Sequence, residues 1–182
     1  LPIYKSFEKS RRCQDISVQI LSACARLTPF QRMAIFLRRD DQVDLAAYRD
    51  GSPSEAEASA ALMATFPQPF ANTPMALVSA ERKALFFSDV LNNPKAPESL
   101  HRAAQRMGSF SVLVAPLTWE ERVIGAFHVA REAHEAFTDK EVALLRTFAD
   151  QAVVAIQNAR LFNETKEALE RQTATAEILA VI

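Results

Sequence analysis

The chain of 182 residues contains only three glycines, and none of them belongs to a glycine-rich loop. A loop that cradles phosphate needs several glycines, because its backbone must approach the phosphate closely. A Ser-His-Asp set is also missing, as are His, Cys, Asp or Glu residues at metal-ligand spacing. We therefore predict no catalytic residues, no metal site and no enzymatic activity for this chain.

Only two cysteines are present, Cys13 and Cys24, and both fall in the first predicted helix. Their positions lie about three helical turns apart, so a disulfide between them within that helix is geometrically impossible. Neither has a second cysteine at Cys-x-x-Cys spacing. We expect reduced cysteines that pack as small apolar groups, which is typical of a cytoplasmic protein.

The sequence has no excess charge of either sign and no long hydrophobic run. Its formal net charge is -1, and Lys and Arg alternate with Asp and Glu along the chain. The lack of a basic field argues against nucleic acid as a partner. The lack of an apolar stretch of about 18 residues argues against direct insertion into a membrane. Because the chain begins without Met and ends within a predicted helix, we expect it to be a segment of a longer polypeptide.

Hydrophobic periodicity and turn residues predict short strands and helices that together form an α+β domain. The predicted strands cover residues 33–37, 43–48, 85–87, 110–117 and 122–130. The predicted helices cover about 4–27, 54–66, 73–80, 98–107 and 138–182. Ser54 and Glu57 are spaced as a capping box. Gly108 is expected to take the left-handed conformation that ends a helix.

The longest predicted element is the final helix, which no Gly or Pro interrupts from Asp139 to Ile182. Thr138 and Glu141 are spaced as a Thr-x-x-Glu capping box at its start. The first part of this helix is apolar enough to cover a sheet. The apolar positions are Val142, Leu145, Phe148, Ala149, Ala152, Val153 and Ile156.

Beyond Leu161 this helix turns charged, and only a narrow stripe continues, with spacings that alternate between three and four residues. The stripe consists of Phe162, Thr165, Leu169, Gln172, Ala176 and Leu179. A helix of about 45 residues extends about 67 Å, roughly twice the width of a small domain. Because the distal part cannot bury this stripe on its own domain, we predict a homodimer with these six residues at the interface. We divide the chain into a domain of residues 1–160 and a coiled-coil connector of residues 161–182.

Four motifs follow one another along the chain: FFSDVLNNP at 86–94, SFSVLVAPL at 109–117, RVIGAFHV at 122–129 and FTDKEVALLRTFADQAVVAIQNARLF at 137–162. In this order they resemble the GAF domain, over residues 7–162. The resemblance implies an antiparallel sheet of five or six strands, with the terminal helices on one face. Short helices and loops would cover a ligand cavity on the other face.

The resemblance also implies a function. GAF domains of this kind occur in bacterial multidomain signalling proteins, such as cyclases and the sensor histidine kinases of two-component systems. The chain is then a sensory module, and its output domain lies in the same polypeptide, outside this chain.

Bilin-binding photoreceptors of the family commonly attach their pigment through a Cys-His pair ahead of a Met-Gly. His101, Met107 and Gly108 are present here, but Leu100 stands where the thiol is expected. Without a thiolate no thioether forms, so the sequence argues against a covalent bilin and leaves the cofactor unknown. The methionine sulfoxide reductase branch needs cysteines around the cavity, whereas both cysteines here lie on the first helix, expected on the other side of the sheet.

The cyclic-nucleotide-binding GAF domains carry an Asn-Lys ahead of a Phe-x-x-x-Asp-Glu segment. In this sequence Ala130-Arg131 stand at the position of the Asn-Lys pair and Glu141-Val142 at the position of the Asp-Glu pair. Of the motif residues, only Phe137 is kept. Cyclic nucleotide binding is therefore not favoured.

The candidate ligand-binding residues of the implied cavity are Phe86, Asp89, His101, Met107, Phe110 and His128. Side chains alternate along a strand, so if the terminal helices cover the Phe127 face, His128 points into the cavity. Three alternatives remain open. In the first, Asp89 braces its own loop instead of contacting a ligand. In the second, the aromatic residues and Met107 only fill a core. In the third, the histidines are simply hydrogen-bonded within the protein.

Three functions remain open from the sequence. The first is a non-enzymatic sensory module that dimerises through its terminal helices and relays a ligand or neighbour-domain signal along the final helix. The second is a structural dimerisation spacer without a ligand. The third is a sensor that binds a small molecule or chromophore non-covalently.

Overall fold

The computed structural model describes residues 11–51, 60–61 and 64–181, and the side chains of residues 15–51, 60–61 and 64–178. In chain order its elements are α1 (Arg11–Cys24), β1 (Arg32–Arg39), β2 (Gln42–Asp50), β3 (Gln68–Pro69), α2 (Pro74–Glu81), β4 (Leu85–Phe87), α3 (Glu98–Met107), β5 (Phe110–Trp119), β6 (Arg122–Glu132) and α4 (Asp139–Val181). The six strands form one antiparallel sheet in the order β3-β2-β1-β6-β5-β4. This arrangement confirms the predicted α+β fold with an antiparallel sheet of five or six strands.

The central strands β1, β5 and β6 are buried along most of their length, because the sheet is covered on both faces. A turn of two residues, Glu120 and Glu121, joins β5 to β6, with φ values of 46° and 64°. A two-residue hairpin of type I′ requires a positive φ at both positions, which Asn and Gly usually supply. Because the turn is this short, β5 runs two residues further than predicted, to Trp119; β6 also runs two residues further, at its opposite end, to Glu132.

Gly125 allows β6 to approach β1 closely. It faces Leu37 in the β1–β6 pair. A Cβ atom at this position would overlap the carbonyl oxygen of Phe36. The glycine of the Ile-Gly pair in the β6 motif therefore has a steric explanation, because the side chain of any other residue would push the two strands apart.

Helices α1 and α4 cover one face of the sheet. Phe127 and Val129 of β6 point to this face and share a core with Leu145 and Phe148 of α4. The apolar positions predicted for the first part of α4 are buried, apart from Val142, which is half-buried. The structure thus confirms that the terminal helices cover the Phe127 face. We call this core the helix-side core.

Helices α2 and α3 cover the opposite face of the sheet, which we call the cavity side. Phe36 of β1, Met75 of α2 and Leu100 of α3 belong to the core on this side. Pro74 lies in the first turn of α2, where its fixed φ suits a helix start. Thr73 takes the preceding capping position, but its hydroxyl donates to the carbonyl oxygen of Phe70 (2.8 Å) and caps no amide.

The first helix ends earlier than predicted. It ends at Cys24 rather than near residue 27, and the backbone N–H of Leu27 donates to the Cys24 carbonyl oxygen in the turn that follows (2.9 Å). Thr28 precedes Pro29, and a residue before proline disfavours the helical conformation, which unwinds the end of the helix. The predicted start near residue 4 and the Ser54–Glu57 capping box lie outside the described residues.

The end of α3 also differs from prediction. Gly108 has φ 82° and ψ 163°. Its φ is positive as expected, but its ψ is extended rather than left-handed helical. Only Ser109 separates Gly108 from β5, so the chain has to straighten at once.

The final helix α4 contains 43 residues and is about 65 Å long. Its predicted capping box is formed, because the Glu141 N–H donates to Thr138 Oγ1 (3.3 Å) and the Thr138 N–H donates to Glu141 Oε2 (2.8 Å). Between residues 160 and 178 its side chains are exposed, apart from the half-buried Asn163. Among the described residues, no helix combines the length and hydrophobicity needed to span a membrane.

Candidate functional site

A cavity of about 80 Å³ lies between the sheet and the helices α2 and α3. Its apolar lining includes Phe36, Val43, Phe66, Met75, Met107 and Phe110. Its polar lining consists of Arg32, Tyr48, Gln68, Thr73, Ser99 and His128. A mostly apolar enclosure with a few polar groups is the usual form of a small-molecule site.

His128 presents a neutral imidazole to this cavity. Alternation along β6 turns it away from the helix-side core, and its ring centroid lies 4.5 Å from that of Phe36. Burial lowers the pKa of His128 to about 3, because the charged form is deprived of water. The side chain as a whole is nevertheless half-buried, because it lies on the cavity wall. Near pH 7 it is an uncharged hydrogen-bonding group.

Two polar atoms of the lining have no hydrogen-bond partner. Gln68 is 9% exposed, and its Nε2 donates to Thr65 Oγ1 (2.8 Å), while its Oε1 accepts no hydrogen bond. The buried hydroxyl of Ser99, in the first turn of α3, also lacks a partner. A buried polar atom without a partner costs stability, about 1–3 kcal/mol in proteins. Both atoms belong to residues of the cavity lining, but neither is accessible to a water-sized group.

Arg32 places a positive charge in the cavity wall. The residue is 6% exposed, and its guanidinium carbon lies 5.0 Å from the centroid of the Phe110 ring. This distance is typical of a cation–π contact. Tyr48 also lines the cavity, and its hydroxyl donates to Asp50 Oδ1 (2.8 Å).

Three of the six predicted ligand-binding residues, Met107, Phe110 and His128, line this cavity. The other three, Phe86, Asp89 and His101, do not belong to the lining. Their positions have different physical reasons.

Phe86 and His101 are turned away from the cavity by the periodicity of their elements. On β4, Phe87 takes the buried position of the cavity-side core, so Phe86 points the other way and is 42% exposed. Its ring lies edge-on to Phe137 at a centroid distance of 5.7 Å. On α3 the cavity lining comes from the face that contains Leu100 and Ala103, and His101 lies beside that face.

Asp89 braces its own loop, which is one of the alternatives left open by the sequence. Ser109 Oγ donates to Asp89 Oδ1 (2.5 Å), and Asn92 Nδ2 donates to Oδ2 (2.9 Å). The hydrogen bond from Ser109, followed by that from Asn92, lowers the pKa of Asp89. The residue lines a separate, open depression together with His134, whose Nε2 lies 3.7 Å from the Asp89 carboxylate.

Sequence reasoning missed Arg32, Gln68 and Ser99 as cavity residues. Arg32 could have been found, because it begins β1 in alternation with Ala34 and Phe36, which face the cavity. Gln68 lies in an irregular segment between predicted helices, where periodicity carries no information. Nothing around Ser99 distinguishes it from an ordinary polar residue in the first turn of a helix.

A second site missed by the sequence is an ion-paired group around Arg131, at the end of β6. Its guanidinium donates to Glu141 Oε1 and Oε2, to Thr28 Oγ1 (2.8 Å) and to the carbonyl oxygen of Pro29 (2.9 Å). It also lies over the Phe137 ring, 4.1 Å from the centroid. We call these five residues the Arg131 cluster.

The Arg131 cluster joins three parts of the fold: the end of β6, the turn after α1 and the first turn of α4. Arg131 is 6% exposed. Hydrogen bonds from Arg131 lower the pKa of Glu141 to about 2, against an opposing effect of burial. Glu141 therefore serves both the α4 capping box and a partly buried ion pair.

The distal part of α4 exposes several large apolar side chains. They are Leu161, Phe162, Leu169 and Ile178; Val154 on α4 and Val18 on α1 are also exposed. Of the predicted interface residues, Phe162, Thr165, Leu169, Gln172 and Ala176 are all exposed in the single chain. The side chain of Leu179 lies outside the described residues.

The described part of the chain contains no metal centre, and no cysteine in it lies on the cavity side of the sheet. No group of three or more His, Cys, Asp or Glu side chains suited to a metal occurs there. Cys24 is buried in the helix-side core, where burial raises the pKa of its thiol to about 11. It therefore lies across the sheet from the cavity.

The sequence matches the family model described as the GAF domain over residues 10–157. The chain therefore belongs to the GAF family, which is consistent with the six-stranded sheet and the cavity described above. No curated protein matches the sequence at a significant level.

Many solved structures share the fold. The GAF domain/HD domain protein from Geobacter sulfurreducens is 17% identical, with a TM-score of 0.69 over 82% of this chain and 94% of that one. A domain of a two-component sensor histidine kinase protein from Sinorhizobium meliloti 1021 is 18% identical, with a TM-score of 0.63 over 84% and 95%. The type II free methionine-R-sulfoxide reductase from Thermoplasma acidophilum is 16% identical, with a TM-score of 0.59 over 80% and 94%. At such identities the likeness concerns the fold alone.

Proposed function

We propose that this GAF domain is a non-enzymatic sensory module that dimerises through its terminal helices and relays a signal along α4 to an output domain in the same polypeptide. The observation that carries the proposal is the exposed apolar surface of α4 beyond the domain. The histidine kinase among the proteins of similar fold suggests the kind of output. The cytoplasmic location stays a prediction.

The distal part of α4 is hard to stabilise as a single helix. Exposed i,i+4 pairs such as Arg160–Glu164 (2.8 Å) and Lys166–Glu170 (3.8 Å) contribute only a few tenths of a kcal/mol each. Helices in water depend mainly on packing of an apolar face. Pairing with a second α4 would bury Phe162 and Leu169, at about 1.5–3 kcal/mol for each side chain fully buried.

The domain itself also exposes apolar side chains on its two terminal helices. Val18 of α1 and Val154 of α4 are 51% and 54% exposed, on two helices that share the helix-side core. A dimer that uses both helices from each chain would form a four-helix arrangement. Burial on α4 ends at Ala159, which supports the division into a domain of residues 1–160 and a connector of residues 161–182.

Strand β6 offers a route from the cavity to α4. His128 lines the cavity, and three residues later Arg131 is paired with Glu141 in the first turn of α4. A ligand that shifts β6 would therefore shift the start of α4 through this ion pair. A packed helix transmits such a displacement along its axis as a shift or rotation.

The dimer is tested by a disulfide cross-link at Leu169→Cys. The background is Cys13→Ser, while the buried Cys24 is kept. The matched control is Glu167→Cys, which is equally exposed but lies about 200° around the helix from position 169. We expect oxidation to cross-link position 169 much faster than position 167, and light scattering to give twice the chain mass. A monomeric mass together with no preference between the two positions would refute the dimer.

A second candidate function, non-covalent binding of a small molecule, is favoured by the mostly apolar cavity with a few polar groups in its lining. The competing possibility is a spacer without a ligand. A thermal-shift screen against small metabolites separates them, because a ligand that binds only the folded state raises the melting temperature.

A further inference from the structure

The cavity between the sheet and the helices α2 and α3 admits only a small molecule. Its volume is about 80 Å³. A water molecule needs about 10–15 Å³ of such space, so the cavity holds about five to eight groups of that size. A short branched chain with one polar group is of this size, whereas a nucleotide or a tetrapyrrole is far larger.

The greater part of the lining suits an apolar body. The rings of Phe36 and Phe66 lie 5.0 Å apart between their centroids. Met75 and Met107 belong to the same lining, and their flexible thioethers adapt to the shape of a guest. Apolar groups that leave water for such a lining are favoured roughly in proportion to the area that they bury. The ligand is therefore expected to be apolar over most of its surface.

The charge of the lining is positive. Arg32 is 6% exposed, and its guanidinium carbon lies 5.0 Å from the centroid of the Phe110 ring, which also lines the cavity. His128 is neutral near pH 7, because burial lowers its pKa to about 3. Among the residues that the structure describes, no Asp or Glu belongs to the lining. Because an apolar enclosure screens charge poorly, this wall attracts an anion and repels a cation.

The hydrogen-bond donors of the lining match an acceptor on the ligand. The hydroxyls of Tyr48 and Thr73 already donate to acceptors of the protein, over 2.8 Å in both cases. The guanidinium of Arg32 has five N–H donors and the neutral imidazole of His128 has one. Asp50 lies opposite Arg32 in the β1–β2 pair, and five donors are enough for a ligand oxygen beside a partner within the protein. A carboxylate only accepts, and it binds a guanidinium through two parallel hydrogen bonds.

We infer that the cavity binds a small monocarboxylate with an apolar body, and that the guanidinium of Arg32 binds its carboxylate group. The inference rests on the second candidate function, small-molecule binding, and names the chemical class of the ligand. A buried anion is costly unless it is paired with an opposite charge and hydrogen-bonded, and Arg32 supplies both.

The first test compares four probes on the whole chain at pH 7 and equal ionic strength: 3-methylbutanoate, its neutral amide, 3-methylbutylamine and acetate. Dissociation constants are measured by protein-observed NMR titration. We expect 3-methylbutanoate to bind at least tenfold more tightly than the amide, which has the same shape without the charge. The amine, a cation at this pH, and acetate, which lacks the branched chain, should also bind at least tenfold more weakly.

The same titration locates the bound probe. The methyl signals of Met75 and Met107 should shift with 3-methylbutanoate, because both side chains line the cavity. Shifts confined to residues outside the lining would overturn the inference. Binding of the amide or the amine as tight as that of the carboxylate would also overturn it, as would no binding of the carboxylate at millimolar concentration.

The role of Arg32 is tested by Arg32→Met, which keeps much of the length of the side chain but removes its charge. The ratio of carboxylate affinity to amide affinity should fall about tenfold. Arg32→Lys keeps the charge without the planar fork, and its ratio should be intermediate. The matched control is Arg38→Met. Arg38 lies on the same strand and over an aromatic ring, 3.8 Å from the Phe70 centroid, but outside the lining, so the ratio should not change.

An unchanged ratio in Arg32→Met would refute the assignment of Arg32, and the backbone amide spectrum shows whether the variant folds. The four-probe comparison uses the unmodified protein, so the ligand class is tested even if Arg32→Met does not fold.

Failure of this inference is distinguishable from failure of the proposed functions. If the amide or the amine binds in the cavity and the carboxylate does not, small-molecule binding stands and the ligand class is wrong. If no compound of the thermal-shift screen binds either, the spacer without a ligand is favoured. The Leu169→Cys cross-link is made without any probe, so it reports dimerisation alone.

Discussion

The two faces of the sheet are built from the same six strands but are packed differently. On the helix side, α1 and α4 meet the sheet through apolar side chains such as Phe127, which is completely buried. On the cavity side, the shorter α2 and α3 leave a space of about 80 Å³, bordered by Gln68 and Ser99. Close packing favours stability, whereas side chains that border an open space lose part of their packing contacts. In the proposed function, the closely packed face holds the fold and the more open face serves recognition.

The largest expected effect contrasts one aromatic residue from each face. Phe127→Ala should lower the free energy of unfolding by about 3–5 kcal/mol, because it opens a void in a closely packed core. Phe36→Ala should cost about 1 kcal/mol less, since the Phe36 ring already borders open space and loses fewer contacts. Urea unfolding of both variants measures the difference. A larger loss for Phe36→Ala would contradict the assigned roles of the two faces.

A smaller effect is expected at the Arg131 cluster, which joins the end of β6 to the start of α4 on the helix side. The folded pKa of Glu141 is lowered from 4.5 to about 2. Its stabilising contribution is therefore present above pH 4.5 and is lost as the pH falls through 2, about 3 kcal/mol in total. Glu141→Gln should be destabilised by about this amount at pH 7 and should vary less in stability between pH 5 and pH 2.

Urea unfolding at several pH values measures this contribution. The matched control is Glu164→Gln, which breaks an exposed ion pair to Arg160. It should change the free energy of unfolding by less than about 0.5 kcal/mol. A Glu141→Gln variant as stable as the parent at pH 7 would show that the ion pair does not stabilise the joint between β6 and α4.

The smallest expected effect concerns His128, on the cavity side. Its contribution to stability changes in a different pH range from that of Glu141. Its folded pKa is lowered from 6.5 to about 3. The neutral form stabilises the fold above pH 6.5, and stability is lost as the pH falls towards 3, because the unfolded chain takes up a proton first. Between pH 7.5 and pH 5 this loss is about 2 kcal/mol.

Replacement of His128 by Leu should remove this loss, and urea unfolding at pH 7.5 and pH 5 measures it. Glu141→Gln should keep the loss, because the range of Glu141 lies lower, between pH 4.5 and pH 2. If His128→Leu loses as much stability as the parent between pH 7.5 and pH 5, another group is responsible.

Features that depend on neighbours along the chain could be predicted. The Thr138–Glu141 capping box, the apolar face of α4 and the side of β6 occupied by His128 all follow from local spacing. The helix end at Cys24 and the extended Gly108 were predicted wrongly. Both lie where the chain has to turn into the next strand, and short connections override the preferences of single residues.

The candidate site was predicted only in part, for a related reason. Met107, Phe110 and His128 were found because they lie on elements with clear periodicity. Phe86 and His101 were assigned to the cavity although each lies beside the face that lines it. An error of one position on a strand reverses the direction of a side chain.

The sequence by itself determined the order and type of the described elements other than the short strand β3, the capped start of α4 and the length by which α4 outruns the domain. These depend on periodicity, caps and the lack of breakers, all of which act between near neighbours. Only the tertiary structure decided which polar atoms meet in the cavity and how β6 is joined to α4. Arg131 and Thr28 are 103 positions apart in the chain. No local pattern records a contact between residues that only the folding of the whole sheet brings together.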